Sequence, residues 1–309
     1  MSEYSMLAQR AALYRHIREF FYAVGVMEVD VPVLGASTVT DPHLEALPTR
    51  YDNRTYYLQT SPEYFLKRLL VNGSGAIYSM GKAFRYDQAS KRHNPEFTML
   101  EWYQPGFDEQ DLIDQVLGLI VKLSPQSETR KCSYKSLFEQ YLGVNPHTAS
   151  ADDLASIAKE RLSVDWPDEP LSTWFDLLFS HFVEPNLTDV VYAVYDYPEC
   201  QCALARIAEN DVGETVARRF EIYWHGLELA NGYWELCDPE AHRERFDRDN
   251  QLRQDMGLPV MPLDEAFLTA LESGLPECAG VALGVDRLLM CVSETFDIAD
   301  VMPFPLKRL

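Results

Sequence analysis

The chain has 309 residues, of which 47% are hydrophobic and 24% charged, enough to bury a sizeable core and to exclude a disordered polymer. Its 48 acidic against 27 basic residues leave a formal charge of −21, and without any Lys/Arg run a nucleic-acid backbone is a poor partner. The N-terminus lacks a signal-peptide pattern, no stretch reaches the about 20 apolar residues that span a bilayer, and the six cysteines form no CxxC pair, so a cytoplasmic enzyme with free thiols is expected.

In chain order, "SMLAQRAALYRHIREFFYAVG" has the apolar spacing of an amphipathic helix ended by Gly25. "VMEVDVPVL" alternates and then meets Pro32, which suits an edge strand. "TYYLQTSPEYFLKRLLVNGSG" reads as a short strand, a turn, and a helix starting near Pro62 with Ser61 as N-cap. Two strands follow, "AIYSMGKAFRYD" and "PEFTMLEWYQPG", joined by the polar loop 88–94, and then a helix over 108–123. Residues 124–186 are less patterned and read as an insertion between two halves of one sheet. "DVVYAVYDYP" and "VARRFEIYWHGLELANGYWEL" return to strands. The helix "DPEAHRERFDRDNQLRQDMG" is delimited by Asp238, Pro239 and Gly257, and "GVALGVDRLLMCV" runs from strand to helix. The pattern predicts an α+β fold on one antiparallel sheet of six or seven strands; no GxGxxG or GxxxxGK[ST] loop is present.

Three constellations carry chemistry. In "PEFTMLEWY", Phe97, Met99, Glu101 and Tyr103 share one strand face, with Phe97 and Glu101 ~13 Å apart at the usual strand rise. An aromatic ring at one end can stack a base, while Glu101 and Tyr103 at the other can orient an ammonium. Arg85 and His93 flank the middle, where phosphates would lie; a half-exposed surface strand accounts for the pattern equally well. In "FEIYWHGLELANGYWE", a two-residue turn at His225-Gly226 pairs Trp224 with Leu227 and Tyr223 with Glu228. Glu221 and Glu228 then share a face within reach of one Mg²⁺, and Glu235 follows beyond an "NG" where a bulge can re-aim the strand. In "GVALGVDR", Gly280 and Gly284 admit close backbone approach, and Arg287 opens the following helix, where it can grip a phosphate.

Taken in order, Arg…His-x-x-x-Phe, Glu-x(6)-Glu and Gly-x-x-x-Gly-x-Asp-Arg resemble motifs 2 and 3 of class II aminoacyl-tRNA synthetases. "VMEVDVPVL" resembles their dimer-interface motif 1. "SPEYFLKRLL", "FRYDQASKRHNPEFTMLEWY" and "GLELANGYWEL" look like the lysyl-tRNA synthetase branch. The chain starts almost directly at the motif 1 helix, without that branch's anticodon-binding OB-fold. With Ala282 in place of a glycine, it resembles the elongation factor P β-lysine ligase family, paralogues that use ATP to activate (R)-β-lysine and attach it to a lysine of elongation factor P.

The resemblance implies one catalytic domain over 1–309 and a homodimer through motif 1, with ATP and Mg²⁺ as cofactors and neither tRNA nor membrane as partner. It implies that Arg85 and Arg287 are catalytic, holding phosphate oxygens as pyrophosphate leaves. Phe97 stacks adenine opposite Arg287, with Tyr86, Asp87, His93, Asn94, Glu228, Leu229 and Gly284 also at the nucleotide. Ser61, Pro62 and Glu63 face one end of the amino acid; Glu101, Tyr103, Asn231, Glu235 and Ala282 line the amine end. Glu221 and Glu228 hold Mg²⁺. One departure is Tyr86-Asp87, where the lysine branch usually has Asn-Glu. The alternatives are an adenylating ligase with α-lysine or another acceptor, a silent synthetase-like regulatory module, and a truncated lysyl-tRNA synthetase.

Overall fold

The structure, a computed structural model, describes residues 3–309. The chain forms two compact units: Met1–Phe107 with Leu236–Leu309, and Asp108–Glu235. The first unit opens with helix α1 (Glu3–Ala23), which Gly25 ends at φ +74°. The expected motif 1 strand is only β1 (Met27–Glu28), which stops before Pro32; it pairs with β5 (Ile77–Phe84) in parallel and lies at the sheet edge. Between them lie β2 (Leu34–Gly35), β3 (Pro48–Tyr51), β4 (Arg54–Leu58) and helix α2 (Glu63–Val71). The first three form a small sheet of order β2-β4-β3. Helix α2 begins one residue later than expected, with Pro62 rather than Ser61 at the cap position. Strand β6 (Glu96–Pro105) then runs antiparallel to β5, setting Glu101 opposite Ser79. Its even-numbered side chains face α1: fully buried Phe21 stacks on Tyr78 at 4.4 Å and meets Trp102 edge-on at 5.2 Å.

The second unit begins with α3 (Glu109–Leu123), capped by Asp108, whose carboxylate takes the amides of Gln110 and Asp111. The stretch read as a less patterned insertion is well structured. It contains β7 (Thr129–Ser133), α4 (Tyr134–Leu142), α5 (Ala151–Leu162) and α6 (Leu171–Leu178), the last passing into a wider turn at Phe179–Val183. Strands β8 (Val191–Tyr197), β9 (Ile207–Glu209), β10 (Thr215–Trp224) and β11 (Leu227–Trp234) follow, in the order β11-β10-β8-β7 with β9 against β10. The insertion contributes β7 to the sheet, parallel to β8, and its helices bury Leu137, Phe138, Leu154, Trp174 and Phe175 in one core with Val194 and Ala217. Its sparse pattern reflects short helices whose apolar stripes are only a few residues long.

The chain then completes the first unit with α7 (Pro239–Asp255), α8 (Glu265–Glu272), β12 (Cys278–Gly284) and α9 (Val285–Val292). Asp238 caps α7 through the amides of Glu240 and Ala241, and Pro239 sits in its first turn, as read from the sequence. Strand β12 lies antiparallel to β6, with Ala282 opposite Glu101, so the main strands of this unit run β1-β5-β6-β12. Two pairings, β1–β5 and β7–β8, are therefore parallel, where an all-antiparallel sheet was expected.

Candidate active site

The odd-numbered face of β6 carries Phe97, Met99, Glu101 and Tyr103, as alternation requires. What the sequence did not disclose is its flanks. Ser79, Gly81 and Ala83 of β5 lie beside this row on one side, and Gly280, Ala282 and Gly284 of β12 on the other. Small residues on both neighbours leave a trough with the four larger side chains along its floor. A Cβ built on Gly81 would meet nothing within 4 Å, so the space beside Met99, at this point of the row, is open.

Glu101 sits in that floor at 2% exposure. Ser61 Oγ donates to its Oε2 at 2.7 Å and Tyr103 Oη to its Oε1 at 2.8 Å. Burial, then the nearby Glu63 charge, push its pKa up to about 8. Ser61 also accepts the Glu63 amide at 3.1 Å, which spends its hydroxyl on ordering this corner. Pro62 starts the helix that carries Glu63 back over the strand. A carboxyl buried among hydroxyls with a neighbouring acid is a receptor for a cation: an ammonium here supplies the missing charge.

At the other end of the row the Arg85 guanidinium lies 5.4 Å from the Phe97 ring centroid. The cation over Phe97 is thus Arg85, and Arg287 donates to His93 Nε2 at 2.8 Å. Because a guanidinium only donates, His93 Nε2 is unprotonated and its proton is on Nδ1, 3.1 Å from Ser90 Oγ. Burial and then Arg287 lower the His93 pKa, which keeps the ring neutral. Asn94 is committed to the backbone: it donates to the Glu96 carbonyl at 2.6 Å and accepts the Leu306 amide at 3.0 Å. It therefore shapes the loop. Tyr86 and Asp87 are both exposed. Arg287 is aimed by its neighbour Asp286, which is bonded to Arg10 of α1 and accepts the Thr98 amide at 2.6 Å. Gly284, the last residue of β12, sits at the cap of the helix that carries both.

In the second unit the hairpin has the expected register: Tyr223 faces Glu228 and Trp224 faces Leu227 across His225 (φ +53°) and Gly226 (φ +68°). The bulge, however, falls at Leu229 rather than after Asn231-Gly232, since Ile222 already faces Ala230. That extra residue flips the parity of β11, so Glu228 shares a face with Asn231 and Tyr233 as well as with Glu221. Glu221 is 7% exposed and receives the hydroxyls of Tyr197 and Tyr223 together with the Arg219 guanidinium. Asn231 accepts from Arg219 Nε at 3.2 Å and donates to Tyr233 Oη at 3.1 Å. Glu235, 1% exposed, lies just past β11 and bridges Ala205.

Mg²⁺ needs oxygen ligands, commonly one or two carboxylates completed by phosphate and water. No group of three His, Cys, Asp or Glu side chains among the described residues could hold a metal by itself. A carboxylate offers about four acceptor sites, and three donors occupy those of Glu221, leaving about one. The pair fits Mg²⁺, with Glu228 the more exposed carboxylate and Glu221 the anchored one.

Over residues 2–308 the chain matches the family model for class II tRNA synthetases (D, K and N). It is 45% identical over 305 residues to an elongation factor P–(R)-β-lysine ligase of Mannheimia succiniciproducens, covering 96% of this chain and 94% of that protein. The ligase of the same name from Vibrio vulnificus is 46% identical over 97% of this chain and 95% of that protein. That from Proteus mirabilis is 43% identical over 98% and 95%. The chain belongs to this ligase family. Its fold is therefore the class II synthetase catalytic fold.

Within the ligase family framework, the residues that sequence reading missed are the supports. Lys67, one helical turn after Glu63, is fully buried and pairs with it at 2.5 Å. Arg219 stands two residues before Glu221 on the same face, a spacing visible in "RRFE". Tyr223 stands two residues after Glu221 on β10, whereas Arg10 and Tyr197 carry no local signal, because they act from other elements.

Proposed function

We propose that this protein activates (R)-β-lysine with ATP and joins it to a lysine side chain of elongation factor P. The observation that carries the reading is the buried carboxyl of Glu101 in a trough of small residues, opposite the methyl of Ala282. Cross-strand partners bring their Cβ atoms to about 5 Å, so that methyl trims the space where the substrate's carbon chain would lie. A diamine acid with its amine moved one carbon along fits a trimmed floor. One methyl discriminates by only about 1–3 kcal/mol, so α-lysine is a slower second substrate.

In this reading a carboxylate oxygen of β-lysine attacks the α-phosphorus of ATP, the P–O bond to pyrophosphate breaks, and an acyl-adenylate forms. The uncharged amine of the acceptor lysine then attacks the acyl carbon and AMP leaves. Arg85 and Arg287 stabilise negative charge on the phosphate oxygens, and Phe97 stacks the base. Ser61, Glu63, Glu101, Tyr103, Asn231 and Glu235 hold the amino acid; no side chain becomes covalent. Glu228 and Glu221 hold Mg²⁺, which when bound neutralises phosphate charge. The whole chain serves as one catalytic domain, in the cytoplasm, as a homodimer and without tRNA. The net charge of −21 and the absence among the described residues of any helix long and apolar enough to cross a membrane support that setting.

ATP–pyrophosphate exchange with purified protein tests it. Exchange with (R)-β-lysine exceeding that with α-lysine, followed by a β-lysyl mass increase on elongation factor P, is expected. No exchange with any lysine isomer sinks the reading in favour of a silent synthetase-like module; exchange without transfer favours a different acceptor.

A further inference from the structure

Five side chains of the first unit close a ring at the amine end of the trough. Lys67 Nζ meets Glu63 Oε1 at 2.5 Å, and the Glu63 amide donates to Ser61 Oγ at 3.1 Å. Ser61 donates to Glu101 at 2.7 Å, Tyr103 donates to Glu101 at 2.8 Å, and Lys67 Nζ lies 6.0 Å from the Tyr103 ring centroid. The ring contains two carboxyls and one ammonium. Lys67 is fully buried, so its four-carbon stem cannot lift the charge into water, and an ammonium in such a place needs a fixed counter-charge. Glu63 supplies it from one helical turn away on the same face of α2.

We propose that Lys67 is a positioning residue for the amino-acid substrate: it pins Glu63 and so leaves Glu101, within this ring, as the carboxyl that answers an incoming ammonium. With Glu63 and Lys67 cancelling, the ring is neutral while Glu101 holds its proton and carries a single negative charge once that proton leaves. A bound ammonium matches that single charge, and its arrival expels the Glu101 proton. The inference rests on the ligase reading in taking the ammonium to be the substrate's.

The groups acting on Glu101 pull in two directions. Burial and Glu63 hold its proton on, whereas Ser61, Tyr103 and Lys67 favour its release. Behind Lys67, from α7, the fully buried His242 gives its Nδ1 proton to the Asp238 carbonyl at 2.9 Å, and its Nε2 has no hydrogen-bond partner. Burial and then the Lys67 charge push the His242 pKa down to about 3, with Arg245 adding in the same sense. His242 is thus a neutral wall, and Lys67 is the fixed cation of this corner.

The test uses the full-length protein with (R)-β-lysine in the exchange assay, together with calorimetric titration of β-lysine in two buffers of different protonation enthalpy. K67M is expected to raise KM for the amino acid by roughly tenfold or more, the loss expected for an interaction with a charged group, with KM for ATP unchanged. K67R is expected to recover most of that. The pH profiles move in opposite directions. K67M removes a charge that favours Glu101 ionisation and shifts the KM profile to higher pH. E63Q removes a charge that opposes it and shifts the profile lower. Wild-type protein should release close to one proton on binding β-lysine near pH 7. Folded K67M with wild-type KM and pH profile overturns the proposal, as does K67R behaving like K67M. If K67M does not fold, the E63Q shift and the wild-type proton release decide it alone. Failure of wild-type exchange strikes the ligase reading instead, because proton release is measured without turnover.

Discussion

Glu101 is almost wholly enclosed, yet both hydrogen bonds it receives come from hydroxyls, and that combination explains why a glutamate stands in the middle of an otherwise apolar strand. A solvated carboxylate would place its charge in water, and a structural one would be held by an arginine fork or by backbone amides. Its pKa, raised from the ordinary 4.5 to about 8 chiefly by burial, has a consequence for stability. Between those two pH values the unfolded chain has released a proton that the folded chain keeps. Unfolding therefore becomes easier as pH rises through this window, and the loss levels off above about 8. E101Q removes the titration. Thermal melts of E101Q and wild type, each without ligand, should converge near pH 5 and separate towards pH 8, where E101Q is the more stable. The same variant should raise KM for β-lysine roughly tenfold to a hundredfold, since a charge-assisted contact is worth about 1.5–3 kcal/mol. Parallel melting curves across this range would show that the carboxyl is ordinary.

At the level of elements, the hairpin and the helical insertion explain each other. Tyr223 and Tyr197, whose hydroxyls hold Glu221, are the sheet side of an aromatic stack built by the insertion: Tyr134 packs at 4.8 Å on both Phe138 and Tyr197, and Phe179 at 5.6 Å on Tyr223. The stretch 124–186 thus fixes the rings that fix the carboxylate, a support two contacts removed from Glu221. Y223F deletes one buried hydrogen bond and should cost about 1 kcal/mol in urea unfolding. It should also raise the Mg²⁺ concentration needed for half-maximal exchange several-fold while leaving KM for β-lysine alone; an unaltered Mg²⁺ dependence would detach these tyrosines from the site. Sequence reading found the hairpin because His225-Gly226 is a local turn signal and Glu221 and Glu228 are close in the chain. It misplaced the bulge, since "NG" is a general turn signal whereas a bulge at Leu229 depends on pairing with β10. It found little pattern in the insertion because Tyr134 and Phe179 are organised by strands far along the chain. Lys67 lay in plain view at i+4 from Glu63, but nothing in the sequence says that a lysine on a helix is buried.

For the molecule as a whole, the charge of −21 sets a background repulsion between copies that any self-association must overcome. The surface most suited to do so is the segment carrying the motif 1 resemblance. Along it Tyr22 is 89% exposed, Met27 51% and Val24 48%, with exposed Val33 and Leu34 further on. Arg18, Tyr22, Met27 and Tyr78 line one open recess there. Arg18 and Glu28 hold each other in a two-pronged ion pair across its rim, which leaves the apolar side chains as the part with most to gain from burial. Covering such residues stabilises at about 25 cal/mol per Å² of apolar area. Added salt screens the repulsion but leaves the burial intact. The protein should therefore sediment as a dimer at micromolar concentration and hold together more tightly at 0.5 M salt than at 0.05 M, both on the order of the Debye regimes that separate screened from unscreened charge. Tyr22→Asp with Met27→Asp should yield monomers with an unchanged far-ultraviolet circular dichroism spectrum, because both side chains already face solvent. A wild-type monomer at all salt concentrations, or a double variant that remains dimeric, would place the interface elsewhere.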